Sequence, residues 1–444
     1  MAEVKGKLGP FAAGILVAGN MIGSGVFLLP ATLAGIGSIS VVGWVVTTLG
    51  VMVLALVFAA LARLRPEAPG LTGYVREGVG PFLGFQTLGL YWASLWSGNV
   101  AIAVAAAGYL TSILQAGAVS GHLGLLSQVL AHPAWGAAAA GGFVVLMVLV
   151  NMVGPRLVAR LGGLTMLLGL LPILAVAVLG WAWFDLALFQ KSWNVSGQPF
   201  FGAVQASVVQ IVWAFLGVES AAVAARTVRD PERNIARATI GGVAVASVIY
   251  IAASAAIFGL LPAGDLAKST APFADAVRVM LGAVSGLVIA ACALLKAVGA
   301  LGGWVLCTAE TAETAAEERL FPPIFIRKAP GSPPRANLLI NMGLMLTVAL
   351  LTASPTIAKT FNDLINISVV LSTLAYFWSC VALLRLGWSE PKNRLWAFVG
   401  LAFCAWVIVA ALQDPKTLMF TVAALVLASA LYLLRPLWAK KAAA

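Results

Sequence analysis

Glu219 lies in the stretch WAFLGVES, deep inside an apolar run, whereas Asp363 falls near the end of another. A carboxylate at membrane depth is costly to desolvate and marks a functional site by default. Two uses fit it: pairing with a substrate ammonium, or carrying a proton across the membrane. The structural alternative is an acid satisfied by backbone or by a neighbouring tyrosine. Gly217 offers a helix break two residues before it, and Trp213 sits one turn before that break. An aromatic face there either closes over a substrate or a cation, or simply packs.

A second interrupted run carries AGNMIGSGVF, residues 18–27. Each glycine costs a helix interior roughly 1 kcal/mol relative to alanine. Asn20 and Ser24 also bring polar groups into hydrocarbon. A helix broken at this depth exposes backbone N–H groups, which bind anions. Gly23 and Gly25 permit the unwinding and Ser24 adds a hydroxyl, so a substrate carboxylate is held there without a basic side chain. The alternative is close helix–helix packing through small residues. In a third run, the 4-4-3 spacing of Tyr91, Leu95, Asn99 and Ile102 puts them on one helical face, with Ser94 close by. Asn99 then contacts a substrate's distal end or glues two helices together. Trp304 follows two glycines in LGGWVLC. Lys296 stands two turns before it in ALLKAVGALGGW, mid-run, where an ammonium costs about 2.5–3.5 kcal/mol and snorkelling is poor.

These residues need a bilayer-spanning scaffold. The chain has 444 residues, 61% hydrophobic and 10% charged, which excludes a soluble globular protein. Apolar runs long enough to span recur near 9–35, 41–62, 83–115, 135–154, 163–184, 203–225, 238–262, 284–308, 336–353, 361–384, 395–413 and 417–434. With the N-terminus inside, cytoplasmic segments hold 21 of the 27 basic residues, so both termini are expected in the cytoplasm. The net charge of +11 faces anionic lipid and is too dispersed for a nucleic-acid partner. Cys292, Cys307, Cys380 and Cys404 read as packed small hydrophobes, and His122 and His132 share one outer loop. No spacing calls for a metal or a cofactor, and no nucleophile–base pair marks an enzyme. Polar interruptions in two corresponding runs point to an inverted-repeat transporter.

The chain resembles the amino acid–polyamine–organocation superfamily, and within it the bacterial arginine/agmatine and putrescine/ornithine exchangers. The resemblance is carried by GNMIGSGVFLLP, GPFLGFQTLGLYW, GNVAIAV, SWNVSG, WAFLGVESA, DPERNIARATIGG, STAPF, LGGW and LFPPIF, in order over the whole chain. It implies an all-α, leucine-transporter-like fold of twelve transmembrane helices. Residues 1–200 and 201–390 form a 5+5 inverted repeat with helices one and six broken, and 391–444 form two further helices and a tail. A homodimer in the bacterial inner membrane is implied as well.

By the same resemblance, Asn20, Ile22, Ser24 and Gly25 hold the substrate's α-carboxylate and α-amino group. Trp213 and Glu219 match the gating tryptophan and the proton-sensitive glutamate, and Trp304 matches the aromatic against the substrate's stem. Asn99 and Ser368 match contacts at its far end; Tyr91, Phe361 and Tyr376 match gate aromatics. Leu216 belongs to the same bed. Ser94, Leu95 and Ala214 depart from the arginine exchanger, which argues against arginine itself. Lys296 replaces a small residue; in other superfamily members an embedded lysine substitutes for a sodium ion, and here it would tie span eight to span one. Near the cavity its charge would repel dicationic amines. The expected function is exchange of an amino acid for a related amine or amino acid. The alternative is proton-coupled symport or uniport with Lys296 or Glu219 as the titrating group.

Overall fold

Hydrocarbon cannot hydrogen-bond a backbone, so a spanning chain satisfies its amides internally, and helix is the local solution. The computed structural model describes residues 21, 26–68, 70–118, 129–130, 132, 134–219, 231–329 and 332–439, and they are helical with no strand among them. In chain order the helices are α1 (Leu29–Leu33), α2 (Ser40–Leu64), α3 (Gly70–Gly78), α4 (Pro81–Ala118), α5 (Trp135–Val153) and α6 (Pro155–Leu174). They continue as α7 (Leu186–Lys191), α8 (Phe200–Val212), α9 (Pro231–Leu260), α10 (Ala263–Leu266), α11 (Pro272–Leu281) and α12 (Ala283–Glu317). The last are α13 (Arg335–Thr352), α14 (Ile357–Leu386), α15 (Pro391–Ala411), α16 (Pro415–Leu434) and α17 (Pro436–Ala439).

Ten of the described helices are long and apolar enough to cross a membrane. The shorter apolar segment Phe200–Phe215 accounts for part of the sixth expected run. Local chemistry sets several starts. Prolines open α6, α11, α15 and α16, where a missing N–H costs nothing. The Thr356 side chain caps α14 by accepting from Lys359 N–H, and Asp414 caps α16 by accepting from Thr417 N–H.

Two runs depart from the expected boundaries. The fifth run, expected at 163–184, begins at Pro155, because helix continues through a turn bearing Arg156 and Arg160. It is interrupted by Pro172 and loosens into a π-turn at Ala175–Leu179 before a 3₁₀ turn at Gly180–Trp183. The eighth run, expected at 284–308, continues as helix to Glu317, with Arg319 left-handed at φ 58° just beyond.

The centre of the bundle is α4, which packs most extensively on α14 and α12, while α12 also lies along α6. The periphery is lipid-like: α6, α15 and α16 expose Leu164, Leu167, Val409, Val426 and Leu433. Asp363, buried near the start of α14, is paired with Lys416 at 2.9 Å and Lys359 at 3.4 Å. The pair with Lys416 ties α14 to α16.

Candidate substrate cavity

The sixth run breaks where its glycine allows. The helix tightens at Trp213–Phe215, Leu216 turns extended with ψ 138°, and Gly217 takes φ +98°, a conformation that disfavours side chains. The freed segment borders a cavity of about 60 Å³, room for a few water molecules. Span six supplies Trp213, Ala214, Leu216, Gly217 and Glu219 to its wall, and α12 supplies Trp304. One face of α4 adds Tyr91, Ser94, Leu95, Gly98, Asn99 and Ile102; α14 adds Ser368, Ser372 and Tyr376. Met21 and Val26 border it from span one.

Glu219 is 3% exposed and accepts three hydrogen bonds. Tyr91 donates its hydroxyl to Oε1 at 2.8 Å, Tyr376 donates to Oε2 at 2.6 Å, and the Gly217 N–H donates to Oε2 at 3.2 Å. The tyrosine pairing anticipated for a structural acid is therefore present, and the same carboxylate still lines the cavity. It is the one formally charged side chain among the described wall residues. Those three bonds join α4, α14 and the unwound segment at a single point.

The other polar groups are also spoken for, in a consistent sense. Ser94 donates to the Tyr91 carbonyl at 2.6 Å and Ser368 to the Ser94 carbonyl at 2.8 Å. The Asn99 amide donates to Thr308 Oγ1 at 2.9 Å and approaches Met345 Sδ at 3.5 Å. Asn99 thus glues helices, as one alternative had it, and leaves its carbonyl oxygen for the cavity. With their protons committed, these groups offer lone pairs to anything bound.

Two aromatic layers bound the cavity. Toward the end of the bundle that carries α10 and α11, Trp213 meets Phe361 edge-on, with centroids 6.3 Å apart. Beyond it Phe27 packs on Tyr109 and Phe273, and the Tyr109 hydroxyl donates to the Phe27 carbonyl at 3.1 Å. Toward the α3 end lies a second cavity of about 450 Å³, lined by Glu67, Glu310 and Glu318 among others. Tyr91 and Glu219 line both cavities, so one layer of side chains separates them.

Phe361 is behind Trp213 rather than in the wall. Lys296 is likewise outside the cavity wall. Eight residues before Trp304, it is turned about 80° round the helix from it. Its stem instead runs along Gly169 of α6, where an added Cβ would come within 2.2 Å of the lysine Cγ. The repulsion of dicationic amines expected from it loses its basis. Lys296 is 7% exposed, with no hydrogen bond or ion pair among the described residues. Asn20, Ile22, Ser24 and Gly25 lie outside the described residues, as does His122. Sequence reading missed Ser372, although its place one turn after Ser368 was available as a signal.

A helical bundle with one helix broken over a largely apolar cavity that holds a buried carboxylate suits a transporter. Residues 8–434 match the model of a family described as amino acid permease. The chain belongs to that family. Its relatives include the cadaverine/lysine antiporter of Escherichia coli strain K12, 34% identical over 90% of this chain and 88% of the relative. The putrescine transporter PotE of the same strain is 35% identical, covering 86% of this chain and 84% of its own length. The PotE protein of Haemophilus influenzae is 32% identical over 93% of both chains. This permease is thus a multi-pass membrane transporter and not an enzyme.

Proposed function

We propose that this permease exchanges a cationic amino acid for a related amine or amino acid by alternating access. The observation that carries the reading is the sense of the few polar groups in a largely apolar wall: one carboxylate, Glu219, and hydroxyl and amide groups turned to accept. Such a wall favours ammonium groups and disfavours a carboxylate at the substrate's far end. The relatives' printed substrates, cadaverine, lysine and putrescine, support the same class.

In this reading Asn20, Ile22, Ser24 and Gly25 receive the α-carboxylate and α-amino group, and Trp304 lies along the stem. Trp213 and Phe361 close the outer side, while Tyr91, Glu219 and Tyr376 form the inner layer. Both termini are cytoplasmic in the bacterial inner membrane, so the larger acidic cavity is the cytoplasmic vestibule and the outer path is shut. The full fold is twelve helices, with repeats at 1–200 and 201–390 and two further helices in 391–444, and a homodimer is its assembly.

A second reading, proton-coupled uptake, is favoured by Lys296. A buried ammonium without a partner among the described residues is a poor structural element and a serviceable proton carrier. Binding measured by scintillation proximity tests the substrate class: lysine, ornithine and their decarboxylated diamines should compete, and glutamate should not. Competition by glutamate with none by the cationic panel would overturn the reading.

A further inference from the structure

Among the described hydroxyls of the cavity wall, four have committed their protons: Tyr91 and Tyr376 to Glu219, Ser94 and Ser368 to backbone carbonyls. The fifth, Ser372, has no hydrogen-bond partner among the described residues, although it is 2% exposed and lines the cavity. A hydroxyl that opens onto a binding wall with neither its proton nor its lone pairs engaged by the protein is free to bond an occupant. Its place is defined by the helix. Ser368, Ser372 and Tyr376 follow at four-residue intervals on one face of α14, about 6 Å apart along the axis. Ser372 is therefore one turn from the tyrosine that holds Glu219 and one turn from the serine bonded to α4.

We propose that Ser372 is a specificity-determining residue of this transporter, its Oγ accepting an N–H from the substrate's primary ammonium beside Glu219. The assignment rests on the cationic-substrate reading above and adds the atom that completes it. A carboxylate alone attracts any cation. A neutral acceptor one turn away fixes the direction of an N–H, so it favours a group with protons to donate. The hydroxyl's own proton can turn to the carbonyl four residues earlier, as serines in helices do.

The test is exchange kinetics in proteoliposomes with 1,5-diaminopentane, 1,4-diaminobutane and lysine as probes. Hydrogen bonds to charged groups contribute enough that their loss raises KM roughly ten- to a hundred-fold. Ser372→Ala should do so for the preferred amine with little change in kcat, and Ser372→Thr should recover most of the loss. Ser372→Cys, which keeps the volume with a weak hydrogen-bonding group, should behave like alanine and guards against misfolding of a single variant. An unchanged KM in both Ala and Cys variants, or a fall in kcat alone for every probe, would overturn the assignment. If the wild type exchanges none of these probes, the cationic-substrate reading fails instead.

Discussion

At the scale of residues, Glu219 joins three donors on one carboxylate while facing the cavity. Glutamine keeps that shape but loses the exchangeable proton and one acceptor. Glu219→Gln should fold, as judged by monodisperse elution, and should flatten the pH dependence of transport. A profile unchanged from the wild type would move proton sensing elsewhere, with Lys296 the first suspect. Lys296→Met keeps the stem that lies on Gly169 and removes the charge. It should fold and bind substrate with near wild-type affinity yet exchange slowly or without pH response; wild-type rates at every pH would reduce Lys296 to a tolerated buried lysine. The cavity face of α4 was legible in sequence because helical spacing alone places Tyr91, Leu95, Asn99 and Ile102 together. The setting of Lys296 beside α6 was not legible for the complementary reason. Depth along a helix is visible in sequence, but its azimuth depends on which neighbour provides a groove, and Gly169 lies more than a hundred residues away.

At the scale of elements, the break in span six depends on a backbone state. Gly217 at φ +98° has the Trp304 ring close above it, 3.7 Å from where a Cβ would stand. Gly217→Val strains the turn by about 1–3 kcal/mol and pushes on that ring. Substrate binding should fall at least tenfold in a variant that still elutes as folded protein; unimpaired binding would mean the break is not part of the site. This interruption was readable from the sequence because a glycine and an acid two residues apart both penalise a membrane helix. The irregular course of span five was not. Pro172 is visible in the sequence, but the π-turn that follows it reflects how α9 and α11 pack there.

At the scale of the whole molecule, the two cavities differ in depth and character, and a single layer containing Tyr91 and Glu219 divides them. Composition alone made the all-helical membrane class plain, and lysine and arginine placement proposed its orientation. The aromatic cluster at one end came only from packing, since Phe27, Tyr109 and Phe273 meet across more than two hundred residues of chain. Orientation has a direct check. Thr314→Cys, in the wall of the larger cavity, should react with a membrane-impermeant thiol reagent in inside-out vesicles and be protected in intact cells. Labelling from the outside alone would reverse the assignment of the vestibule.

Counterflow in proteoliposomes tests exchange most directly. Purified protein is reconstituted with or without unlabelled lysine or diamine inside, and uptake of labelled lysine or diamine is followed with no imposed gradient. Uptake should be rapid into loaded vesicles and near background in empty ones, because the occluded carrier must return with cargo. In a second arm with a proton gradient imposed, uptake into empty vesicles equal to that into loaded ones, indifferent to internal substrate, would contradict exchange and favour the proton-coupled reading.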